Sequence, residues 1–163
     1  MIVIIIVKAI RKKIAKISCP CVNIFIFINI IQIKFLMKKQ LDSVKHFHET
    51  YQLSYNINPV ADLGSNKNKL RFDLMAEENN EYINAANNND IIEVADALGD
   101  MLYILCGTII EHGMQDIIEP IFDEIQKSNM SKLGLDGNPI YREDGKVLKG
   151  PNYVKPNFDK FFK

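Results

Sequence analysis

The feature that most constrains this chain is a helical repeat of apolar residues over positions 38–131, cut at intervals by residues that cannot continue a helix. Leu41, Val44, Phe47 and Tyr51 recur three or four apart, the spacing of one buried helix face, and predict a helix over residues 38–53. Pro59, Gly64 and several Asn make residues 56–68 a loop. A second helix is expected over 69–87, with Leu70, Leu74, Met75, Tyr82 and Ile83 as its buried positions, ended by Asn87, Asn88 and Asn89. Asp90 then reads as the N-cap of a third helix, over 91–112, and Gly113 as its left-handed stop. A fourth starts near Asp116 and ends near Ser131, with Ile117, Ile121, Phe122 and Ile125 on its buried face. Pro120 is tolerated there because first-turn amides have no intrahelical partner. Beyond it Gly134, Gly137, Pro139, Gly145, Gly150, Pro151 and Pro156 leave room for a small hairpin at most. The expected fold is all-α, a bundle of four to five helices with an irregular C-terminal tail.

The formal charge of zero hides an asymmetry. Residues 1–36 hold six of the twenty Lys and Arg (Lys8, Arg11, Lys12, Lys13, Lys16 and Lys34) and no acid, so residues 37–163 carry fourteen basic against twenty acidic side chains. A domain near minus six is a poor non-specific binder of nucleic acid, since phosphate contacts need clustered Lys and Arg, and a polyphosphate ligand would need metal ions as intermediaries. Cys19 and Cys21 lie in the N-terminal stretch and Cys106 stands alone in an apolar helical run, a pattern that implies a reduced, cytoplasmic protein.

Residues 1–36 show two apolar runs flanking a basic patch and match neither a signal peptide nor a membrane span. Met37 opens the first well-patterned segment. Residues 1–36 are therefore read as a non-native extension, with a hydrophobic anchor as the alternative, and 37–163 as the domain. No membrane contact is expected unless 1–36 are native. Abundant peptides from before Met37 in protein taken from its own cell would refute this start.

Acidic residues carry the chemistry. At about 100° per residue, Glu77, Glu78 and Glu81 fall within an arc of about 100° on the second helix, and Glu93, Asp96 and Asp100 within about 60° on the third. Leu70 and Leu74 lie on the side of the glutamates and Ile104 continues the stripe of the third helix, so the acids are expected to point inward. Carboxylates converging between two helices repel unless cations neutralise them, and Mg²⁺ prefers such oxygen ligands while completing its shell with water and substrate phosphates. The plainer reading is a capping box for Glu93 with Asp90, and solvated charge for Glu77 and Glu78.

These residues resemble a family. Glu77-Glu78-Asn79-Asn80-Glu81 is similar to the Glu-Glu-x-x-Glu motif of MazG-like and phosphoribosyl-ATP pyrophosphohydrolase-like proteins, and Glu93-Val94-Ala95-Asp96 to the Glu-x-x-Asp motif that follows it. The likeness extends over 37–156 and takes in residues 128–132 and 144–146, as in the dimeric dUTPase-like branch. In many relatives the motif's Asp directly precedes an apolar run. Here that position is Asp100, and the residue three before it is Ala97, so Asp96 and Asp100 are both kept as ligands. The resemblance implies the all-α NTP pyrophosphatase fold and a nucleoside triphosphate pyrophosphohydrolase, in which a metal-activated water attacks between the α- and β-phosphates to give a monophosphate and pyrophosphate, in nucleotide-pool house-cleaning. It implies Mg²⁺, with Mn²⁺ as a substitute, held by Glu78, Glu81, Glu93, Asp96 and Asp100, with Glu77 and Glu78 catalytic. Asn129, Lys132, Arg142, Lys146 and Lys149 would bind substrate, and a homodimer or homotetramer is expected. Phe47 and His48 are candidates for a base pocket, but are read as core packing for Phe47 and a surface position for His48.

Two other classes compete. A di-metal carboxylate bundle needs Glu-x-x-His pairs, and His46, His48 and His112 do not follow a glutamate by three. A non-catalytic helical interaction module would use its acids only for solubility.

Overall fold

The computed structural model describes residues 37–162. Four α-helices follow one another, α1 (Lys38–Thr50), α2 (Ser65–Asn87), α3 (Ile91–Glu111) and α4 (Ile118–Met130), with a 3₁₀ turn at Asp159–Phe161. Among the described residues the only β-pairing is an isolated antiparallel bridge between Tyr141 and Val147, the small hairpin the tail allows. Residues 1–36, expected to be an extension, lie outside the described residues, and one compact unit spans Gln40–Lys163. None of the described helices is long and apolar enough to cross a membrane.

The joint between α2 and α3 is built by short polar side chains. Asn89 takes a left-handed φ of 56°, and the amides of Asn89 and Asp90 reach back to the carbonyls of Ala86 and Ala85, closing α2 with the paired bonds of a Schellman turn. Asp90 at once caps α3, accepting from the amides of Ile92 and Glu93 at 3.1 and 3.2 Å. Because the Asp90 amide is spent on Ala85, Glu93 does not complete a capping box. At the other end of α3 Gly113 adopts φ 68°, with the Gly113 and Met114 amides on the carbonyls of Ile110 and Ile109. A side chain there would lie 2.1 Å from the Asn58 carbonyl oxygen, so only glycine fits this stop.

α2 and α3 pack against each other as an antiparallel hairpin. Arg71 near the start of α2 reaches Ile104, Thr108 and Glu111 near the end of α3. The loop after α1 is strapped to the end of α3 by Asn56 Nδ2 on the Glu111 carbonyl, Val60 N–H on the His112 carbonyl, and His112 Nδ1 against the Val60 carbonyl. The tail runs back along α4. Gly150 N–H reaches the Lys132 carbonyl, Ser128 Oγ donates to Val154, Val154 N–H to Ser131 Oγ, and Asn157 N–H to Glu124.

Two expectations change. α2 begins at Ser65, four residues earlier than its apolar pattern predicts, because polar groups organise its approach: Asp62 accepts from the Gly64 amide and from Asn68 Nδ2, while Asn68 Oδ1 accepts from the Leu63 amide. The core is also narrower. Leu41, Val44, Ala85, Ala97, Cys106, Ile109 and Ile110 are buried, but Tyr51, Leu70, Tyr82, Ile83, Phe122 and Ile125, expected inside, are exposed, since no other part of the described chain covers those faces.

Candidate active site

The antiparallel hairpin sets the middle of α2 against the first half of α3. Glu78, half-buried, is the member of the acidic set drawn into this seam, and its Oε2 is buried with no hydrogen-bond partner among the described residues. Its pKa is raised, first by burial and then by the charges of Glu81, Asp100, Glu77 and Asp96. Carboxylates from both helices therefore act on one buried oxygen. Glu77, Glu81, Glu93, Asp96 and Asp100 are themselves exposed, so the expectation that the whole array points inward holds for Glu78 alone. Both alternative aspartates face Glu78; Glu93 is not among the charges that shift it.

Among the described residues no three His, Cys, Asp or Glu side chains close into a ready-made metal cage. What the seam offers is a partnerless buried carboxylate oxygen under the negative potential of four neighbouring acids. That donor set fits a hard divalent cation of the magnesium kind, which takes one or two carboxylates and fills its shell with water and phosphate oxygens.

The tail candidates have local partners of their own. Asn129 is exposed at the end of α4. Arg142 is tied to Asp144 by a two-point ion pair, and the Lys146 amide donates to the same carboxylate. Lys149 Nζ sits 4.4 Å from the centre of the Tyr153 ring. The Tyr153 pKa is lowered, first by a hydrogen bond to Ser128 and, after the opposing effect of burial, by Lys149 and Lys132. The described partners of Arg142 and Lys149 thus belong to the tail itself, and the charge of Arg142 is already neutralised by Asp144.

Sequence reasoning missed a second polar centre on the same seam. A cavity of about 470 Å³ opens between α1, α2 and α3, walled by Phe47, Leu53, Leu74 and Tyr103. His48, read from sequence as a surface residue, is 3% exposed and lines it, whereas Phe47 is the partly exposed one, edge-on to Tyr103 at 5.7 Å. The reason is register: Leu41, Val44 and His48 share the buried stripe of α1, and the imidazole takes the place of an apolar side chain. On the cavity's polar side the Glu111 side chain is 7% exposed. Its Oε1 lies 3.5 Å from Arg71 Nη1, and its Oε2 3.3 Å from Lys67 Nζ. The Lys67 ion pair is not aligned as a hydrogen bond, so among the described residues neither Oε2 nor His48 Nδ1 has a hydrogen-bond partner.

Arg71 is anchored by Nε to Thr108 Oγ1 at 3.0 Å and Nη2 to the Ile104 carbonyl at 2.7 Å. Burial lowers its pKa and Glu111 works against that shift. Gly107 allows the convergence: a methyl there would lie 3.1 Å from Arg71 Nη2 and 3.4 Å from His48 Nε2. A signal was present in the sequence. Arg71 precedes Glu78 by seven residues and Glu111 follows Ile104 by seven, both along the stripe that carries the acids.

Comparison with known proteins bears on this arrangement. The chain is similar over 39 residues, at 49% identity, to the uncharacterized protein L479 of Acanthamoeba polyphaga mimivirus, a match covering 24% of this chain and 16% of that protein's length. Among solved structures it is similar to a provisionally assigned NTP pyrophosphohydrolase from Exiguobacterium sp. 255-15, at 24% identity and a TM-score of 0.38, over 72% of this chain and 88% of that one. The phosphoribosyl-ATP pyrophosphohydrolase family model matches residues 44–129, which take in α2, α3 and every acid of the array. The chain belongs to the phosphoribosyl-ATP pyrophosphohydrolase family, the MazG-like all-α NTP pyrophosphohydrolases.

Proposed function

We propose that the chain is a magnesium-dependent pyrophosphohydrolase that cleaves a nucleoside triphosphate between its α- and β-phosphates, yielding a monophosphate and pyrophosphate. The observation that carries this reading is Glu78, whose buried oxygen has no hydrogen-bond partner among the described residues and is subject to the charges of acids from both helices. Such a carboxylate is held in the seam at a cost that a bound cation would remove.

Glu78, Glu81, Asp96 and Asp100 would hold the ion, with Glu93 one turn further out. The ion, when bound, would neutralise the triphosphate and lower the pKa of a water. Glu77, exposed beside Glu78, takes the proton as the water oxygen bonds to phosphorus and the bridging P–O bond breaks. The acidic surface leaves phosphate binding to the cation and to tail cations such as Lys132, Lys146 and Lys149, with Asn129 as a hydrogen-bonding group. Arg142 contributes only if Asp144 releases it. The free, buried Cys106 fits a reducing compartment, the cytoplasm, where such an activity suits nucleotide-pool cleaning.

A homo-oligomer completes the proposal. Phe72 is 69% exposed on α2, and Ile91 and Ile92 are each 76% exposed on α3; uncovered apolar side chains this large, near the acids, suit a second copy of the chain.

Calorimetric titration with Mg²⁺ and pyrophosphate release from a nucleotide panel test the site together. Glu78→Gln and Glu81→Gln are expected to abolish turnover and weaken Mg²⁺ binding while the helical fold persists. Unchanged turnover in both variants would reject the site.

A further inference from the structure

The cavity between α1, α2 and α3 has no role in the acid chemistry, yet it is built like a binding pocket. It lies on the same seam: Leu74 is one helical turn before Glu78 and Ile104 one turn after Asp100, each about 6 Å along the axis. A triphosphate at the acids would leave its base pointing along this seam. The walls suit a flat ring, with Phe47 and Tyr103 presenting aromatic surface and Leu53, Leu70 and Leu74 apolar surface.

The polar side carries the specificity. Contacts run in the order Lys67, Glu111, Arg71 and then His48, the last two meeting at Gly107. Arg71 is spent on Ile104, Thr108 and Glu111. Among the described residues two groups more than nine-tenths buried have no hydrogen-bond partner: Glu111 Oε2, which has only the unaligned Lys67 ion pair, and His48 Nδ1. An acceptor oxygen beside the Lys67 ammonium is the complement of a ring N–H beside a carbonyl.

We propose that this cavity holds the nucleobase and selects lactam bases (uracil, thymine, guanine or hypoxanthine). The ring N–H donates to Glu111 Oε2, Lys67 donates to the adjacent carbonyl, and His48 Nδ1 serves the next polar atom of the ring. In cytosine or adenine the same placement sets a ring-nitrogen lone pair against the carboxylate. A buried polar group left unpaired, or facing a like partner, is a strong discriminator, whereas apolar walls alone are a weak one. This assignment rests on the pyrophosphohydrolase reading for its position beside the triphosphate, but not for its hydrogen-bond chemistry.

The test compares kcat/KM for the deoxynucleoside triphosphates of uracil, thymine and guanine with those of cytosine and adenine, in saturating Mg²⁺, for wild type and Glu111→Gln. The lactam set is expected to be favoured at least about tenfold, and the variant to lose most of that ratio. Equal use of both sets, a preference for cytosine or adenine, or a variant that slows all bases by one factor would overturn the assignment and leave the pyrophosphohydrolase reading standing. Should Glu111→Gln fail to fold, Lys67→Met keeps the Arg71–Glu111 pair and must reduce the same ratio. If no triphosphate is turned over, the enzymatic reading falls, and NMR titration with deoxyuridine and deoxycytidine, which needs no metal, decides the pocket. Saturable binding of deoxyuridine alone supports the assignment, and equal or absent binding sinks it.

Discussion

Replacing Arg71 by Met is the sharpest test of how α2 and α3 are held together. Arg71 bridges the helices through the Ile104 carbonyl, Thr108 Oγ1 and the buried Glu111 carboxylate. Loss of one partner from a buried pair costs about 3–5 kcal/mol, mostly because the remaining charge is stranded. Here Lys67, with a side chain 39% exposed, still stands 3.3 Å from Glu111, and the Ile104 carbonyl keeps Thr108 Oγ1. The loss is therefore expected to be about 2–3 kcal/mol. For a domain of this size that lowers Tm by roughly 6–15 °C. Arg71→Met combined with Glu111→Leu removes both charges and fills the space with apolar atoms, so most of the loss should return. Urea unfolding followed by circular dichroism gives both values. A single variant within about 0.5 kcal/mol of wild type, or a double variant no better than the single, would refute the claim that the pair matters through a stranded charge.

Asp90→Ala removes the side chain that caps α3, and with it acceptors for the amides of Ile92 and Glu93; a loss of about 1 kcal/mol is expected in the same unfolding measurement, and no loss would contradict the capping role. The tail should loosen in acid. Glu124 has its pKa lowered, first by the hydrogen bond from Lys160 and then by that from the Asn157 amide, so its contribution is fully present above the unfolded-state value and is lost as pH falls through the lowered folded value. Protection of the Val154 and Asn157 amides, with exchange corrected for its intrinsic slowing in acid, should fall across that acid window in wild type, and this pH dependence should be lost in Glu124→Gln.

The helices were legible because their punctuation is strong: the run of three Asn closes α2, Asp90 opens α3 and Gly113 ends it, each through backbone geometry that few other residues supply. The start of α2 was hidden by the same chemistry, since Ser65, Asn66 and Asn68 read as loop formers whether they interrupt a helix or begin one. The acids could be assigned to two facing helix stripes by spacing alone. Their depth could not, because the sequence does not say which one turns into the seam, and only Glu78 does so. His48, Arg71 and Glu111 were passed over because a polar residue on a buried stripe looks like a boundary of that stripe until its partners are known. Those partners lie on other helices, at separations that periodicity does not connect. The exposed faces of α2 and α4 show the reverse case: an apolar pattern predicts burial without saying whether its cover comes from the same chain.

The central claim, cleavage between the α- and β-phosphates at the seam around Glu78, is tested most directly by product analysis. Incubation with the nucleotide panel in Mg²⁺, followed by phosphorus NMR, should show monophosphate and pyrophosphate in equal amounts, with neither formed when the ion is chelated. Nucleoside diphosphate and orthophosphate as products, or intact triphosphates throughout the panel, would contradict it.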